Sequence, residues 1–221
     1  MERYEECWAT YHDSKVRTTL THLDRNGFQG HYTKDREEAM ALVLSLIPDD
    51  ATIGLGDSVT VEETGVVPRL KGRGNVVYER YRHGITSPVA DDEKNKYLAL
   101  TSDVFLTGVN AVTTRGQLIF VDGAGTRVAP VIFGPRRVVV LAGVNKIVRT
   151  VEEGLARVKQ VAAPLNARRH HLDDLPCASA AECTSCSRSD KICCATVVLE
   201  HGWHKSPGRV QVVLIGERSG F

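Results

Sequence analysis

The chain has no apolar run of membrane-spanning length, and its opening "MERYEECWATYHDSK" carries charges where a secretory signal needs an apolar core. Both absences predict a cytoplasmic protein with no membrane association. A dominant charge is lacking as well. The 28 Lys and Arg and 27 Asp and Glu leave a net charge of +1, so no broad positive field predicts binding to nucleic acid. Nor is there a disulfide framework. Of six cysteines, Cys7 stands alone and the other five crowd between residues 177 and 194, a pattern of metal or redox chemistry rather than of a secreted scaffold. No serine elbow or cysteine–histidine pair is visible, which counts against autonomous hydrolase chemistry. Trp8 and Trp203 have no basic stripe beside them and are expected to pack rather than to stack on bases.

What is present reads as one α/β domain over residues 1–221. Helical spacing predicts a helix from Tyr4 to Asn26, stopped by Gly27, and a second over "KDREEAMALVLSLIP" ended by Pro48. Residues 1–48 thus form N-terminal helices ahead of an α/β core at 49–170. In that core "ATIGLG" predicts a strand, "TVEETGVVPRL" a short helix and "NVVYERY" a strand. A polar connection, "HGITSPVADDE", precedes a brief helix at "KNKYLAL". "DVFLTGV" and "QLIFVDG" follow as strands with Gly116 at the turn between them. "RVVVLAG" has the continuous apolar character of a buried parallel strand, and Val151–Arg169 is an amphipathic helix. A Cys-rich segment at 171–195 interrupts the fold before closing strands in 196–221, "TVVLE" and "RVQVVLIGE".

The stretch "ATIGLGDSVTVEETG" has two readings. After a strand, Gly54 and Gly56 permit a tight turn whose following helix start suits a phosphate or carboxylate. Thr60 and Glu63 have capping-box spacing, so the same residues equally well do no more than start a helix. In this scheme Asp57 stabilises the helix dipole, Ser58 is spare and becomes the better ligand candidate, and Glu62 is either a surface glutamate or an acid, base or nucleophile.

The blocks "GLGDSVTVEETG", "SDVFLTGVNAVTTRGQLIFVDGAGTRVAP" and "GPRRVVVLAGVNKIV", with the closing "VVLIGE", resemble the LUD-domain family of lactate utilisation proteins over roughly residues 10 to 221. The resemblance implies a fold similar to the ribose-5-phosphate isomerase and coenzyme A transferase superfamily, a mostly parallel sheet flanked by helices. It implies that the Gly54–Thr60 turn binds a phosphate, an acyl group or a small organic acid. By likeness to related sugar-phosphate isomerases, it implies that Asn110 and Asp122 face the ligand. Asn110, Asp122, Gly123, Gly125 and Thr126 all fall at predicted strand ends, where open α/β sheets bind ligands. Taken singly, Asn110 and Asp122 are also ordinary turn residues. Lys146 either balances the ligand's charge or is a solvated lysine at a helix start; the role of Arg127 stays open.

Cys177, Cys183, Cys186 and Cys193 are separated by five, two and six residues, with Cys194 adjacent. Four thiolates suit either a 4Fe-4S cluster or a structural zinc, and a redox disulfide is the metal-free alternative. Successive side chains in extended structure face opposite ways, so Cys193 and not Cys194 is the expected fourth ligand. His170, His171, His201 and His204 flank the segment as reserve ligands or helix-dipole partners. The resemblance favours the cluster, and implies a subunit of an L-lactate-oxidising electron-transfer system with iron–sulfur partner subunits. A sugar-phosphate isomerase or acyl transferase using Glu62 or Asp122, and a non-catalytic metal-bearing module, are the two rival readings.

Overall fold

The computed structural model describes residues 2–79 and 92–221, so the polar connection predicted at 83–93 lies outside it as far as residue 91. The first half runs α1 (Glu2–Arg25), β1 (Gln29–Thr33), α2 (Arg36–Leu46), β2 (Ile53–Leu55), α3 (Val59–Glu63), α4 (Val66–Arg73), β3 (Val77–Tyr78) and α5 (Asp92–Leu100). The second half runs β4 (Val104–Gly108), β5 (Ala111–Thr113), β6 (Leu118–Asp122), α6 (Val128–Ile132), β7 (Arg137–Gly143), β8 (Ile147–Val148), α7 (Val151–Arg157), α8 (Ala163–Arg169), α9 (Pro176–Ala180), β9 (Ala195–Leu199) and β10 (Val210–Ile215). A π-helical turn at Val158–Ala162 joins α7 to α8, so the single helix predicted from Val151 to Arg169 is one rod with a bulge in it.

Six strands form an all-parallel sheet in the order β1-β10-β7-β4-β2-β3. Its central strands are apolar on both faces because both are covered. Val138, Val140 and Ala142 of β7 join Phe105, Val212 and Leu214 in one core, whereas Val139 and Leu141 join Leu106, Val213 and Ile215 in another. That is the physical reason for an uninterrupted apolar run rather than alternation. A smaller four-stranded sheet, β8-β5-β6-β9, is mixed: β6 is antiparallel to β5 and β9, and β5 is parallel to β8. The two closing strands therefore part company, β9 going to the small sheet and β10 to the large one.

Several elements escape a reading by periodicity. β1 is an edge strand of sequence "QGHYT", held by a polar ladder in which the Gln211 side chain meets His31 Nε2 at 2.8 Å and Gln29 Oε1 at 2.6 Å. β5, β8, α6 and α9 each span five residues or fewer, too few for a pattern to declare itself. The helix expected at "TVEETGVVPRL" is split into α3 and α4 at Thr64–Gly65. Neither tryptophan packs as expected: Trp8 is 63% and Trp203 62% exposed. Trp8 instead stacks on His12, and Lys205 Nζ lies 5.7 Å from the Trp203 ring. Among the described residues no helix is long and apolar enough to cross a membrane.

Gly116 closes the β5–β6 turn at φ 76°, and a Cβ there would sit 2.6 Å from the backbone carbon of His22 on α1. Both the backbone conformation and the close helix approach require glycine. Gly116→Ala is expected to destabilise the protein by about 2 kcal/mol or more, lowering Tm by roughly 4–8 °C. Gly72 lies in α4 with open space where a Cβ would go. Gly72→Ala is therefore expected to leave Tm unchanged or raise it slightly, by about 0.5 kcal/mol. Thermal unfolding of the two variants side by side checks both.

Candidate functional site

Chain order fixes where a cleft must open. From β2 the chain passes through α3 and α4 to β3 on one side, then returns through α5 to β4 on the other side of β2. The loops leaving β2 and β4 therefore diverge, and a crevice is left outside their carboxyl ends. A cavity of about 340 Å³ lies there. Gly56, Asp57 and Ser58 line it from the loop after β2, Gly108, Val109 and Asn110 from the end of β4, and Lys146 from the 3-10 turn after β7. The opposite wall is Val121–Ala124, Thr126 and Arg127 after β6, and Val158, Ala162, Ala163, Asn166, Arg169 and His170 from the long helical rod. Ile192 and Cys193 of the Cys-rich segment also line it.

Ser58 and the pair Asn110 and Asp122 thus border one hollow, together with Gly56, Asp57, Gly123, Thr126, Lys146 and Cys193. The other predicted residues lie elsewhere. A Cβ on Gly54 would come within 2.8 Å of Ala99 and Ser102, so its glycine serves the packing of α5 on β2. Gly125 (φ 81°) shapes the turn after β6 without lining the cavity. Glu62 is outside too, its carboxylate 3.8 Å from Arg169.

Capping differs from the predicted box. Ser58, expected to be spare, is the N-cap of α3, its Oγ accepting from the Val61 amide at 3.3 Å. Thr60 lies inside the helix, fully buried, and accepts a hydrogen bond from Lys146 Nζ at 2.7 Å. Glu63 instead accepts from the Ser219 hydroxyl at 2.7 Å and the Gly220 amide at 2.8 Å, fastening the residues after β10 across α3. Asp122 follows its turn reading: Oδ2 accepts from the amides of Arg127 (2.7 Å) and Val128 (3.2 Å) at the start of α6. Asn110 Oδ1 accepts from the Val121 amide and from the Arg127 guanidinium, both at 2.9 Å. Arg127 also donates to the Val121 carbonyl at 2.6 Å.

The cavity wall carries the guanidinium groups of Arg127 and Arg169 and the amine of Lys146, together with two carboxylates, Asp57 and Asp122. Burial works against ionisation of Asp57, but the hydrogen bond from His170 and the charge of Arg169 outweigh it and hold the carboxyl down to about 2. His170 Nε2 lies 2.8 Å from Asp57 Oδ2, and Arg169 pairs with the same oxygen. Lys146 is 3% exposed. Its burial, with the nearby charges of Arg157 and Arg127, lowers the amine to about 7. Behind it, Arg157 donates to the carbonyls of Asn110 (2.7 Å) and Asn145 (3.3 Å), tying the loop after β4 to the turn after β7. Lys146 is therefore neither a solvated lysine nor a salt-bridge partner. Among the described residues no carboxylate lies within ion-pair distance of it.

Asn166, Arg169, Arg157 and the cavity role of His170 were not legible as site residues. A signal exists: positions 158, 162, 166 and 170 recur every four residues and share one face of the rod that looks into the cavity. The π turn at 158–162 is itself a feature that recurs at functional sites.

Cys177 is buried on α9, and Cys183, Cys186 and Cys193 are partly covered. Burial raises the Cys177 and Cys193 thiols, and the nearby thiols of Cys183 and Cys186 push both further up. The Ser185 amide donates to Cys183 Sγ at 3.3 Å. Cys194 is exposed and turned to the Lys191 carbonyl at 3.2 Å. Among the described residues no three Cys, His, Asp or Glu side chains converge on an ion-sized point.

Fold and cavity together define an open α/β protein with a crevice lined by charged residues at its topological switch point. The LUD domain model matches residues 16–215, and the chain belongs to that family, making it a lactate-utilisation-like protein. The fold is similar to the crystal structure of a DUF162 family protein from Deinococcus radiodurans, at 15% identity and a TM-score of 0.54, covering 92% of this chain and 98% of that one. No curated protein matches the chain.

Asp57 supplies a pH test. Its pKa falls from an ordinary 3.8 to about 2 on folding, so the unfolded chain takes up the proton first as pH drops. The stabilisation is complete above about pH 4 and is lost as pH falls through about 2, a swing of about 2 kcal/mol. Asp57→Asn is expected to remove that part of the acid dependence. Urea unfolding at about pH 5 and about pH 2.5 should show a smaller fall for the variant than for the parent protein.

Proposed function

We propose that the chain binds the carboxylate of a small organic acid in this crevice and serves as a subunit or accessory of an L-lactate-oxidising electron-transfer system. The carrying observation is that Cys193 lines the same cavity as Ser58, Asn110 and Lys146, so the Cys-rich segment forms part of the ligand's wall. The guanidinium groups of Arg127 and Arg169 on that wall suit a ligand that carries a carboxylate, and the volume suits a small molecule.

Four soft thiols are the donor chemistry an iron–sulfur cluster takes, and an amide already donates to the Cys183 sulfur, but among the described residues no three of the thiols converge on one point, so loading a cluster requires the segment to draw its thiols together. Cys177, Cys183, Cys186 and Cys193 would hold the cluster, which when bound supplies one-electron transfer toward iron–sulfur partner subunits. This chain's own residues bind and orient the acid. The acyl-transfer and isomerase readings find less support. Glu62 is outside the cavity beside Arg169, and one oxygen of Asp122 is occupied by two backbone amides.

Anaerobically purified protein is expected to be brown, with matched iron and sulfide. Cys193→Ser should remove most of the iron and the visible absorbance, whereas Cys194→Ser should retain them, since the Cys194 thiol is exposed and donates to the Lys191 carbonyl. A colourless preparation with stoichiometric zinc would overturn the cluster. Saturating L-lactate, at about 100 times its Kd, should raise Tm by several degrees, equivalent to about 2.7 kcal/mol; no shift with any small 2-hydroxy or 2-oxo acid would overturn the organic-acid site.

A further inference from the structure

Lys146 has more chemistry available than charge balance. Its amine is buried at the cavity wall, donates to Thr60 Oγ1 at 2.7 Å, and meets no carboxylate at ion-pair distance among the described residues. Two guanidinium groups, Arg157 and Arg127, lie close enough to disfavour its protonation and outweigh the carboxylate of Glu63, which favours it. Thr60 in turn points its hydroxyl toward the Ser219 carbonyl at 3.4 Å. With that orientation Thr60 accepts one N–H of the amine, leaving the nitrogen lone pair of the neutral form for the cavity. A desolvated lysine among cations is the arrangement that makes an amine nucleophilic at neutral pH. A ligand complementary to the wall carries a carboxylate for Arg127 or Arg169 and an electrophilic carbon for Lys146.

We propose that the cavity takes a 2-oxo carboxylic acid and that Lys146 condenses with its ketone to form an imine. The proposal rests on the organic-acid reading of the cavity and narrows the substrate class. The Nζ lone pair attacks C2 and forms the C–N bond while the carbonyl π pair moves onto oxygen. A proton passes from nitrogen to that oxygen, giving a carbinolamine. The nitrogen lone pair then expels the hydroxyl, which takes a proton and leaves as water; the iminium nitrogen loses its remaining proton to complete the balance. Amine plus ketone gives imine plus water, with no oxidant or reductant needed. An imine at this position holds a 2-oxo acid covalently but reversibly, whereas a 2-hydroxy acid, lacking the carbonyl, is held by charge and hydrogen bonds only.

Reductive trapping tests this on the unmodified protein. The chain is incubated with pyruvate and sodium cyanoborohydride near neutral pH, digested and mapped by mass spectrometry. An ordinary lysine is almost entirely protonated there, so the reduced adduct is expected on Lys146 in about tenfold or greater excess over any other lysine. Excess L-lactate should suppress it by occupying the cavity. If calorimetry shows pyruvate bound while the adducts scatter over surface lysines or are absent, the imine is overturned and the organic-acid site survives. If neither pyruvate nor L-lactate binds, both fall together.

Discussion

One shared oxygen holds the crevice together. Asp57 Oδ2, on the loop leaving β2, receives both Arg169 and His170 from the end of the helical rod. At that end of the rod Ala167 also packs with Leu175, Cys177 and Ala178 in a small apolar cluster. Removing one partner of a carboxylate satisfied by two donors at a partly buried position costs several kcal/mol, so the Asp57 contacts tie the loop after β2 to the rod. The cavity lies in the space between them.

Around it, the other polar groups are spent largely on backbone. Arg127 donates to the Val121 carbonyl, Arg157 to the Asn110 and Asn145 carbonyls, and Asp122 accepts from two amides of α6. These bonds orient the cations before any ligand arrives, so an incoming anion loses little to side-chain ordering. They also explain how turn chemistry and ligand chemistry meet in the same residues. Asp122 caps a helix and, by doing so, places the Arg127 guanidinium against Asn110.

The strands that matter most were legible because their burial is uniform. "RVVVLAG", "DVFLTGV" and "VQVVLI" are predominantly apolar without alternation, and a central parallel strand covered on both faces leaves that trace. β1 was not legible, since an edge strand stabilised by a glutamine–histidine ladder has no apolar signal. The site was legible where glycines and polar residues follow strands, at Gly56–Ser58, Asn110 and Asp122–Gly123. It was illegible where the contribution depends on tertiary approach. Nothing local marks Arg169 as the partner of a residue 112 positions earlier. Nor does anything around "GVNKIV" foretell that Lys146 is buried against Thr60. The capping box shows the converse failure: the spacing was present at Thr60 and Glu63, but Ser58 already capped the helix, freeing Thr60 for Lys146 and Glu63 for the residues after β10.

The Cys-rich segment is structurally part of the cavity wall. The Cys194 amide donates to the Asp122 carbonyl at 2.9 Å, and β9, which begins at the next residue, pairs with β6 from Asp122 to Leu118. Cys193 therefore sits two residues before a strand that is in register with the wall carrying Asn110's partner Val121 and the start of the Arg127 turn. Across the segment, the Cys183 amide bonds to the Lys159 carbonyl within the π turn. The segment is thus pinned to both walls of the crevice, and any change in its thiols that moves the backbone must act on the strand end and the helical face that line the cavity. Coupling between thiol chemistry and ligand binding needs no longer path than these two hydrogen bonds.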